Sequence, residues 1–288
     1  MEPQVTPRIL LGLKAGEPPQ GSIALATRLA VSLRAVVHGL LIEEQGLIDA
    51  AALPFTRIAA RAGTHAPVFT SISLERAFGL SAQACRDMIG MMAQAAHVPW
   101  TMQRERGEFA STLRERVKAG DIVIMTGVSG GAAASVALAD IRLIASRASA
   151  VVMMAQVRPS WQLEAGPVVA IDDGDLAGAR TISLAAKLAA GMDSPLHVIV
   201  IASTAAEAAV IEQRASAAAA EAHAKRFHWL RPGHGEAVAL KLRMLAPSLV
   251  VVDIEGEPIR DDAAIREFQR ASKAPMLLLA GSMPQKTV

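Results

Sequence analysis

The chain repeats one order of short apolar segments and longer helical segments twice along its 288 residues. The short segments are rich in Val, Ile and Leu, and the longer ones place apolar residues at helical spacing, as at Ile23, Ala26, Leu29, Ala30 and Leu33. This alternation is typical of βαβ units built on a parallel sheet. Because a repeated order of elements reflects duplicated architecture, the sequence predicts an α/β protein made of two similar halves.

Each half contains five predicted strands. In the first half they cover residues 8–13, 36–42, 99–103, 121–125 and 150–154, and in the second half residues 168–171, 196–201, 227–230, 249–252 and 276–279. Both periodicities lapse in QVRPSWQLEAGP, residues 156–167, which is the predicted linker. We therefore expect one domain over residues 1–157 and a shorter one over residues 166–288. The first is longer mainly because of an insertion near residues 43–72.

The composition narrows the classes of function. Hydrophobic residues make up 52 % of the chain and charged residues 19 %, which is the balance of a folded protein with a substantial core. Aromatic residues make up only 3 %, so a base-stacking surface is disfavoured. The 29 basic and 27 acidic residues are interleaved rather than collected in blocks. We therefore expect no nucleic-acid partner.

The sequence also bears on the compartment. The single cysteine, Cys85, cannot form a disulfide within the chain and fits a reducing environment. The N-terminus MEPQVTPRIL lacks the features of a signal peptide, and no window reaches 18 uninterrupted apolar residues. We expect a cytoplasmic protein without membrane contact.

The segment TGVSGGAAAS, residues 126–135, follows the apolar run DIVIM and precedes an alanine-rich helical pattern. Gly127, Gly130 and Gly131 allow backbone N–H groups to turn toward phosphate oxygens, and a following helix would add its positive end. The same letters also fit the G-x-S-x-G nucleophile elbow of a serine hydrolase, with Ser129 as nucleophile. A plain turn from strand to helix is the third interpretation.

The hydrolase interpretation needs an acid and a histidine that follow Ser129 and meet it in space. His234 is the last histidine of the chain, so Asp253 has none after it. Asp172 or Asp173 with His234 would keep the order, but these residues belong to the other predicted half. The elbow is therefore the least favoured of the three interpretations.

The pattern resembles the universal stress protein family in its tandem, two-domain form, and the resemblance covers nearly the whole chain. It depends on SIALATRLAVSLRAVVHGLLIEE after the first strand, on the glycine before the third helix, on AGDIVIMTGVSGG, and on VAIDDGD in the second half. The resemblance implies two doubly wound five-stranded parallel sheets of order 3-2-1-4-5, each with helices on both faces, packed as a pseudo-dimer.

For the first half, the resemblance implies an adenine nucleotide, ATP or AMP, at the carboxyl ends of strands one and four, where ligands settle in such sheets. Lys14 would lie beside the phosphates, and adenine would contact Leu13 and Leu41. The phosphate contacts would come from Gly127, Val128, Ser129, Gly130 and Gly131, with Ser135 as a substitute for the distal contact. The sequence departs from the family at Lys14, where family members have Asp, and at Asp140 and Ile141, where they have Gly and then Ser or Thr.

The second half keeps aspartates at the end of its first strand but has no glycine-rich loop after its fourth. Asp172 and Asp173 are expected near Asp253, in a crevice whose negative charge would repel phosphate. We expect these carboxylates to serve as helix caps or turn residues rather than as cation ligands, and we predict no metal site.

These observations give three candidate functions. The first is a universal-stress-like protein that binds an adenine nucleotide or another small molecule and regulates a stress response without catalysis. The second is a ligand-free scaffold that acts through a protein partner or a homodimer. The third is a serine hydrolase with Ser129 as nucleophile.

Overall fold

The structure, a computed structural model of the chain, describes residues 7–16, 20–53, 71–125, 138–148, 150–153, 166–175, 177–233, 235–256, 259 and 262–279. The strands within these ranges are β1 (Arg8–Lys14), β2 (Val36–Glu44), β3 (Trp100–Gly107), β4 (Ile122–Met125), β5 (Ala150–Met153), β6 (Val168–Asp172), β7 (Leu196–Ile201), β8 (Lys225–Leu230), β9 (Leu249–Asp253) and β10 (Met276–Leu279).

The described helices lie between these strands in the sequence, two of them between β2 and β3. They are α1 (Gln20–Leu33), α2 (Gln45–Ala52), α3 (Ser71–Ala95), α4 (Phe109–Arg116), α5 (Leu138–Ala145), α6 (Gly178–Gly191), α7 (Ala205–Ala218), α8 (Gly235–Leu245) and α9 (Asp262–Ser272). Among the described helices, none combines the length and the apolar character that crossing a membrane requires.

The ten described strands form one sheet in the order β3-β2-β1-β4-β5-β10-β9-β6-β7-β8. Within each half every pairing is parallel and the order is 3-2-1-4-5, as the resemblance implies. The two halves join edge to edge, because β10 pairs antiparallel with β5 and Met276 lies beside Met153. The strands of the two halves therefore run in opposite directions, and their carboxyl ends lie at opposite edges of the sheet.

The helices cover both faces of this sheet. Helices α1, α3, α6 and α7 contribute to the core on one face, and α4, α5, α8 and α9 contribute to the core on the other. Successive residues of a strand alternate between the faces, so Leu11 and Leu13 of β1 pack toward α1, whereas Leu10 packs toward the opposite layer. Both cores are mainly aliphatic, as expected for a chain with few aromatic residues.

The helices α1 and α6 bring the two halves into close contact on one face. A Cβ atom built on Gly191 of α6 would lie 2.4 Å from Cβ of Ser32 on α1 and 2.6 Å from its Cα. A side chain at Gly191 would therefore separate the two helices. The lack of one lets the backbones meet.

The strand predictions are confirmed to within a few residues, and the largest difference is in β3. This strand continues to Gly107, where it pairs with Glu44, although its predicted end was residue 103. The extension is polar because β3 is an edge strand with much of its surface exposed, so no apolar pattern marks it. Residues 154–165, which include most of the predicted linker, lie outside the described ranges, so the domain boundaries stay a prediction.

Candidate functional site

Lys14 ends β1 at the switch point of the first sheet. Strand β1 lies between β2 and β4, and the next described helix after β1 (α1) packs on one face of the sheet, whereas the next described helix after β4 (α5) packs on the other. The Lys14 Nζ atom is 3.3 Å from Oε1 of Glu44 and 4.9 Å from the centre of the buried Phe109 ring. A cation–π contact and an ion pair therefore hold this ammonium group at the carboxyl end of β1.

Glu108 adds a second carboxylate to the same neighbourhood. It caps α4 by accepting hydrogen bonds from the backbone N–H groups of Ala110, at 3.0 Å, and Ser111, at 2.7 Å. Burial opposes its ionisation, but these donors and the charge of Lys14 outweigh burial and lower the pKa of Glu108 below its usual value. Glu108 is therefore negative at neutral pH. With Glu44 it makes the surroundings of Lys14 partly acidic.

Leu13 and Leu41, the predicted adenine contacts, are both fully buried. They belong to the core beneath α1 and α3, because strand alternation turns both side chains to that face. In this conformation neither side chain offers a surface to a ligand. Contact with adenine would require the covering elements to move.

Part of the insertion packs beside the carboxyl end of β1. Helix α2 and the first turns of α3 form a small apolar cluster of Ala51, Leu74 and Phe78, against which Ala15 and Ile48 pack. The backbone N–H of Gly16 donates to Oγ of Ser81 on α3 at 2.8 Å, and that hydroxyl donates to the Gly16 carbonyl at 2.7 Å. We call this arrangement the β1 cover. It closes the carboxyl end of β1 on the α1 face.

An ion-pair network that the sequence analysis did not identify lies beside the β1 cover. Glu43 of β2 is almost fully buried, and both of its oxygens accept from arginines of β3, Oε1 from Arg104 and Oε2 from Arg106 at 3.0 Å. Arg106 also pairs with Glu75 of α3 at 2.7 Å. The network fixes the edge strand to the helix that carries the cover. Its sequence signal is the spacing of Arg104 and Arg106, two residues apart and so on one face of a strand.

The predicted phosphate contacts Gly127, Val128, Ser129, Gly130, Gly131 and Ser135 lie outside the described residues. The phosphate cradle, the nucleophile elbow and the plain turn therefore all stay predictions. The structure does show where this segment begins, because β4 ends at Met125 beside Gly12 of β1. Asp140 lies in the first turn of α5, where its negative charge interacts favourably with the positive end of the helix dipole. Ile141, the next residue, is fully buried.

In the second half, Asp172 is a buried counter-ion. Its Oδ1 atom lies 3.2 Å from Nη2 of Arg214 on α7 and accepts from the N–H of Gly174 at 3.0 Å. Burial raises the pKa of Asp172, although the Gly174 hydrogen bond and Arg214 act against the rise. A Cβ atom on Gly178 would lie 2.1 Å from Oδ1, so the glycine lets α6 begin against this carboxylate. Asp172 thus joins the end of β6 to α7.

Asp173 and Asp253 lie in an acidic environment at the same sheet edge. Asp253 accepts from the N–H of Glu255 at 2.8 Å, and Oδ1 of Asp173 accepts from the N–H of Asp175 at 3.3 Å. Burial raises the pKa of Asp253, and the charges of Asp175, Glu255 and Asp173 raise it further, against the Glu255 hydrogen bond. Each carboxylate makes turn hydrogen bonds, and no three acidic, histidine or cysteine side chains in the described ranges are placed to hold a metal ion.

His234, the histidine of the predicted triad, lies outside the described residues, as does Ser129, so the triad stays a prediction. Two described histidines that follow Ser129 lie far from the end of β4. His197 of β7 and His228 of β8 face each other, with Nδ1 and Nε2 3.1 Å apart. Burial, with Lys241, His197 and Arg226, lowers the pKa of His228 to about 4. Strand β7 is five places from β4 in the sheet, which corresponds to about 24 Å at the usual strand spacing. That distance is far beyond a hydrogen bond.

The comparisons with known proteins identify the fold. No protein-family model and no curated protein matches the sequence. Among solved structures, a universal stress protein from Archaeoglobus fulgidus aligns with a TM-score of 0.60 at 9 % identity, over 95 % of this chain and 96 % of its own. A putative universal stress protein from Pseudomonas aeruginosa gives 0.60 at 13 % identity, over 96 % and 94 %.

A third similar structure is the cytoplasmic domain of a prokaryotic cation chloride cotransporter. It aligns with a TM-score of 0.54 at 13 % identity, over 95 % of this chain and 96 % of its own. Identities at this level show the fold alone, but the alignments span both halves of the sheet. The chain therefore has the tandem α/β fold of the universal stress proteins, with two five-stranded halves.

Proposed function

We propose that the chain binds an adenine nucleotide, ATP or AMP, at the first-half switch point and acts in a stress response as a ligand-responsive protein without catalysis. The observation that carries the proposal is the Lys14 ammonium group, held at the carboxyl end of β1 by Glu44 and Phe109. Strand β4, which precedes Gly127, Gly130 and Gly131 in the sequence, ends at Met125 beside Gly12 of β1. A cation and a row of backbone donors are what phosphate oxygens require.

Binding would exchange one partner of Lys14 for another. A phosphate oxygen would replace the Glu44 carboxylate, and the cost would be small because partly exposed ion pairs contribute about 1 kcal/mol or less. The phosphates would then lie against residues 127–131, with Ser135 as the distal contact. The site differs from its family by using a cation where an aspartate is expected.

Adenine binding would involve the β1 cover. Leu13 and Leu41 are fully buried in the core beneath α1 and α3, so the base would reach them only if α3 shifts, and the β1 cover joins the start of α3 to α2. Nucleotide binding would therefore change the surface that α2 presents. A change of this kind is how a protein without catalysis can report a bound ligand.

Isothermal titration calorimetry with ATP and AMP tests the proposal. The Lys14→Gln variant should bind more weakly because the cation is lost, and Glu44→Gln should bind more tightly because its competitor for Lys14 is lost. Lys225→Gln, at the far edge of the sheet, is the matched control and should bind like the unmodified chain. Absence of heat and of any thermal shift at millimolar nucleotide would overturn the proposal.

A ligand-free interaction scaffold is the second candidate. The burial of Leu13 and Leu41 favours it, because the protein's own side chains occupy the surface that adenine would use. The cotransporter domain offers a parallel, since its name places this fold in the cytoplasmic part of a larger protein. The partner would be a protein or a second copy that pairs with an edge strand, β3 or β8. We propose a cytoplasmic location for either function, because the single cysteine, Cys85, cannot form a disulfide within the chain and so fits a reducing environment.

Sedimentation and chemical crosslinking distinguish the scaffold from the nucleotide-binding protein. A scaffold forms a complex that added ATP leaves unchanged, whereas a nucleotide-responsive protein changes its assembly or its stability with ATP. We do not propose the hydrolase, since His197 and His228, two described histidines that follow Ser129 in the chain, lie on strands far from β4. Labelling of Ser129 by a fluorophosphonate, lost in Ser129→Ala, would reverse that judgement.

A further inference from the structure

Two histidines face each other on the last two strands of the sheet. The Nε2 atom of His228, on β8, lies 3.1 Å from the Nδ1 atom of His197, on β7, and the ring centres are 5.1 Å apart. His197 is buried, whereas His228 is half-buried because β8 is an edge strand. The nucleotide and scaffold proposals make no use of this pair.

Arg226 of β8 lies on the same face of the sheet as both rings. It is the register partner of His197, and it stands two residues before His228 on its own strand. The residue is exposed, and it forms no ion pair with any residue that the structure describes. Its guanidinium group is therefore available beside the histidine pair.

Lys241 adds a third kind of basic group from α8. The packed side of this helix carries Val238, Leu242 and Leu245, and Lys241 falls on that side, three residues after Val238 and four before Leu245. Its charge acts on both histidine rings. Within the described ranges Lys241 has no ion-pair partner. Basic groups from β7, β8 and α8 therefore converge on one place.

The folded chain accommodates this convergence by keeping the rings uncharged. Burial is the largest cause that lowers the pKa of both histidines, and Lys241 and Arg226 lower it further, for His228 to about 4. The described charges that act on the two rings are all basic. Both rings are therefore neutral at pH 7, and negative charge placed among them would favour their protonation.

The first half has neutral residues at the corresponding places. His38 of β2 is the register partner of Thr101 of β3, as His197 is of Arg226, and its Nδ1 atom lies 2.6 Å from Oγ1 of Thr101. Two residues further along, β3 has Gln103 where β8 has His228. The strand frame thus accepts neutral side chains here, and the basic ones are a property of the second half.

We propose that His197, Arg226, His228 and Lys241, which we call the basic cluster, bind a small phosphate group, either inorganic phosphate or the phosphate of a monoester. Phosphate oxygens match an arginine fork and the N–H donors of lysine and histidine. Strand β7 is six places from β1 in the sheet, or about 29 Å at the usual strand spacing. This site is therefore separate from the proposed nucleotide site and does not depend on it.

Anion binding at the basic cluster would be coupled to proton uptake. A dianion stabilises the charged form of His197 and His228 and so raises their pKa values, which makes binding tighter as the pH falls. Lysine and arginine keep their charge between pH 5.5 and pH 7.5, so a surface patch made of these residues alone would not show this dependence.

Isothermal titration calorimetry with sodium sulfate tests the coupling on the full chain. Sulfate stays a dianion between pH 5.5 and pH 7.5, so the pH dependence reports the protein groups alone. We expect saturable binding that is at least about tenfold tighter at pH 5.5 than at pH 7.5, with a heat that depends on the ionisation enthalpy of the buffer. Inorganic phosphate and glycerol phosphate, compared at one pH, should both bind, and the tighter one identifies the source of the phosphate group.

Variants assign the binding to the basic cluster. Arg226→Thr with His228→Gln gives β8 the residues that β3 carries at these places, and it should weaken sulfate binding at pH 5.5 at least about tenfold. Lys241→Gln should weaken it too, whereas Lys241→Arg should retain most of it. Arg243→Gln is the matched control, because Arg243 is exposed and lies two residues along α8, on its other side, and it should leave binding unchanged.

Three results would each overturn the proposal. The first is that neither phosphate compound binds, and the second is that sulfate binds equally at the two pH values. The third is that pH-dependent binding survives both the double variant and Lys241→Gln, with thermal unfolding showing that the variants are folded. Lys14→Gln should leave pH-dependent sulfate binding intact, and the double variant should leave ATP binding intact, so failure of this site and failure of the nucleotide site are told apart.

Discussion

At the scale of single residues, two buried carboxylates near strand ends have arginine partners. Glu43 is held by Arg104 and Arg106, and Asp172 is held by Arg214. Removal of one member of such a pair leaves the other without its hydrogen bonds, which costs more than the pair itself contributes. These residues therefore maintain the sheet edges next to the candidate site.

We expect Glu43→Gln to lower the free energy of unfolding by about 1–3 kcal/mol, because two arginines lose a buried charged acceptor. Urea denaturation measures the change. Glu75→Gln is the control, since its carboxylate is exposed and the same network should lose only about 0.5 kcal/mol. Equal losses in the two variants would contradict the role assigned to Glu43.

The raised pKa of Asp253 predicts that the stability of the folded chain depends on pH. Its pKa is raised in the folded chain, first by burial and then by neighbouring carboxylates, so folding is favoured where it is protonated. The stability it contributes is present below its ordinary pKa of 3.8 and is lost as the pH rises through the raised folded value. Asp253→Asn should therefore be more stable than the unmodified chain at pH 7.

This advantage should disappear in urea denaturation at pH 3, where the carboxyl group is protonated in both states. Asn keeps the oxygen that accepts from Glu255, so the turn should survive the substitution. The opposite result is that Asp253→Asn destabilises the chain at pH 7 but not at pH 3. That result would contradict the prediction, because it would show that the Asp253 carboxylate has a cation partner.

His228 makes the stability of the folded chain depend on pH in the opposite direction to Asp253. Its pKa falls from 6.5 to about 4 on folding, so the stability it contributes is present above pH 6.5 and is lost as the pH falls through 4. The corresponding residue of the first half is Gln103, because His228 pairs with Ile199 as Gln103 pairs with Leu40. His228→Gln should therefore remove roughly 1 kcal/mol of the acid destabilisation between these pH values, after allowance for partial exposure. Unchanged pH profiles of unfolding would contradict this.

At the scale of elements, the contact between α1 and α6 sets the distance between the halves on one face. Gly191→Ala should lower the free energy of unfolding by about 1–3 kcal/mol, because its Cβ would overlap Ser32 and force the helices apart. Gly79→Ala is a matched control within α3, where a Cβ would meet nothing within 4 Å. The control should instead gain about 0.5–1 kcal/mol from its helix propensity. A Gly191→Ala variant that is stabilised like the control would refute the close contact.

At the scale of the whole molecule, the antiparallel pairing of β5 with β10 converts two five-stranded sheets into one. Strands at the edge of each half become central strands, and Leu277 and Leu278 are fully buried. Hydrogen–deuterium exchange should therefore be much slower in β10 than in the true edge strands β3 and β8. Exchange in β10 as fast as in β8 would mean that the halves separate in solution.

Local pattern was enough to predict the strands that lie inside the sheet. Buried parallel strands such as β4 and β9 are continuous aliphatic runs, and their neighbours in sequence are amphipathic helices. The polar end of β3 was not predicted, because an exposed edge strand carries no apolar signal. The pairing of β5 with β10 was not predicted either, because the local sequence of a strand does not indicate which distant strand it pairs with.

The candidate site was harder to predict than the fold. The position of Lys14 at the switch point follows from strand order, which the sequence indicates. Its partners Glu44 and Phe109 come from separate elements, and only the folded chain brings them together. The burial of Leu13 could be predicted, because residues two apart in a strand lie on one face and Leu11 is on the buried face. The β1 cover could not, because it depends on how α2 packs against α3.

A crystal structure of the full chain with added ATP tests the nucleotide proposal most directly. We expect density for the nucleotide at the carboxyl ends of β1 and β4, with Nζ of Lys14 on a phosphate oxygen and no longer on Glu44. The β1 cover should be displaced from the adenine side. A crevice without nucleotide at saturating ATP, with Lys14 still paired to Glu44 and the cover closed, would contradict the proposal.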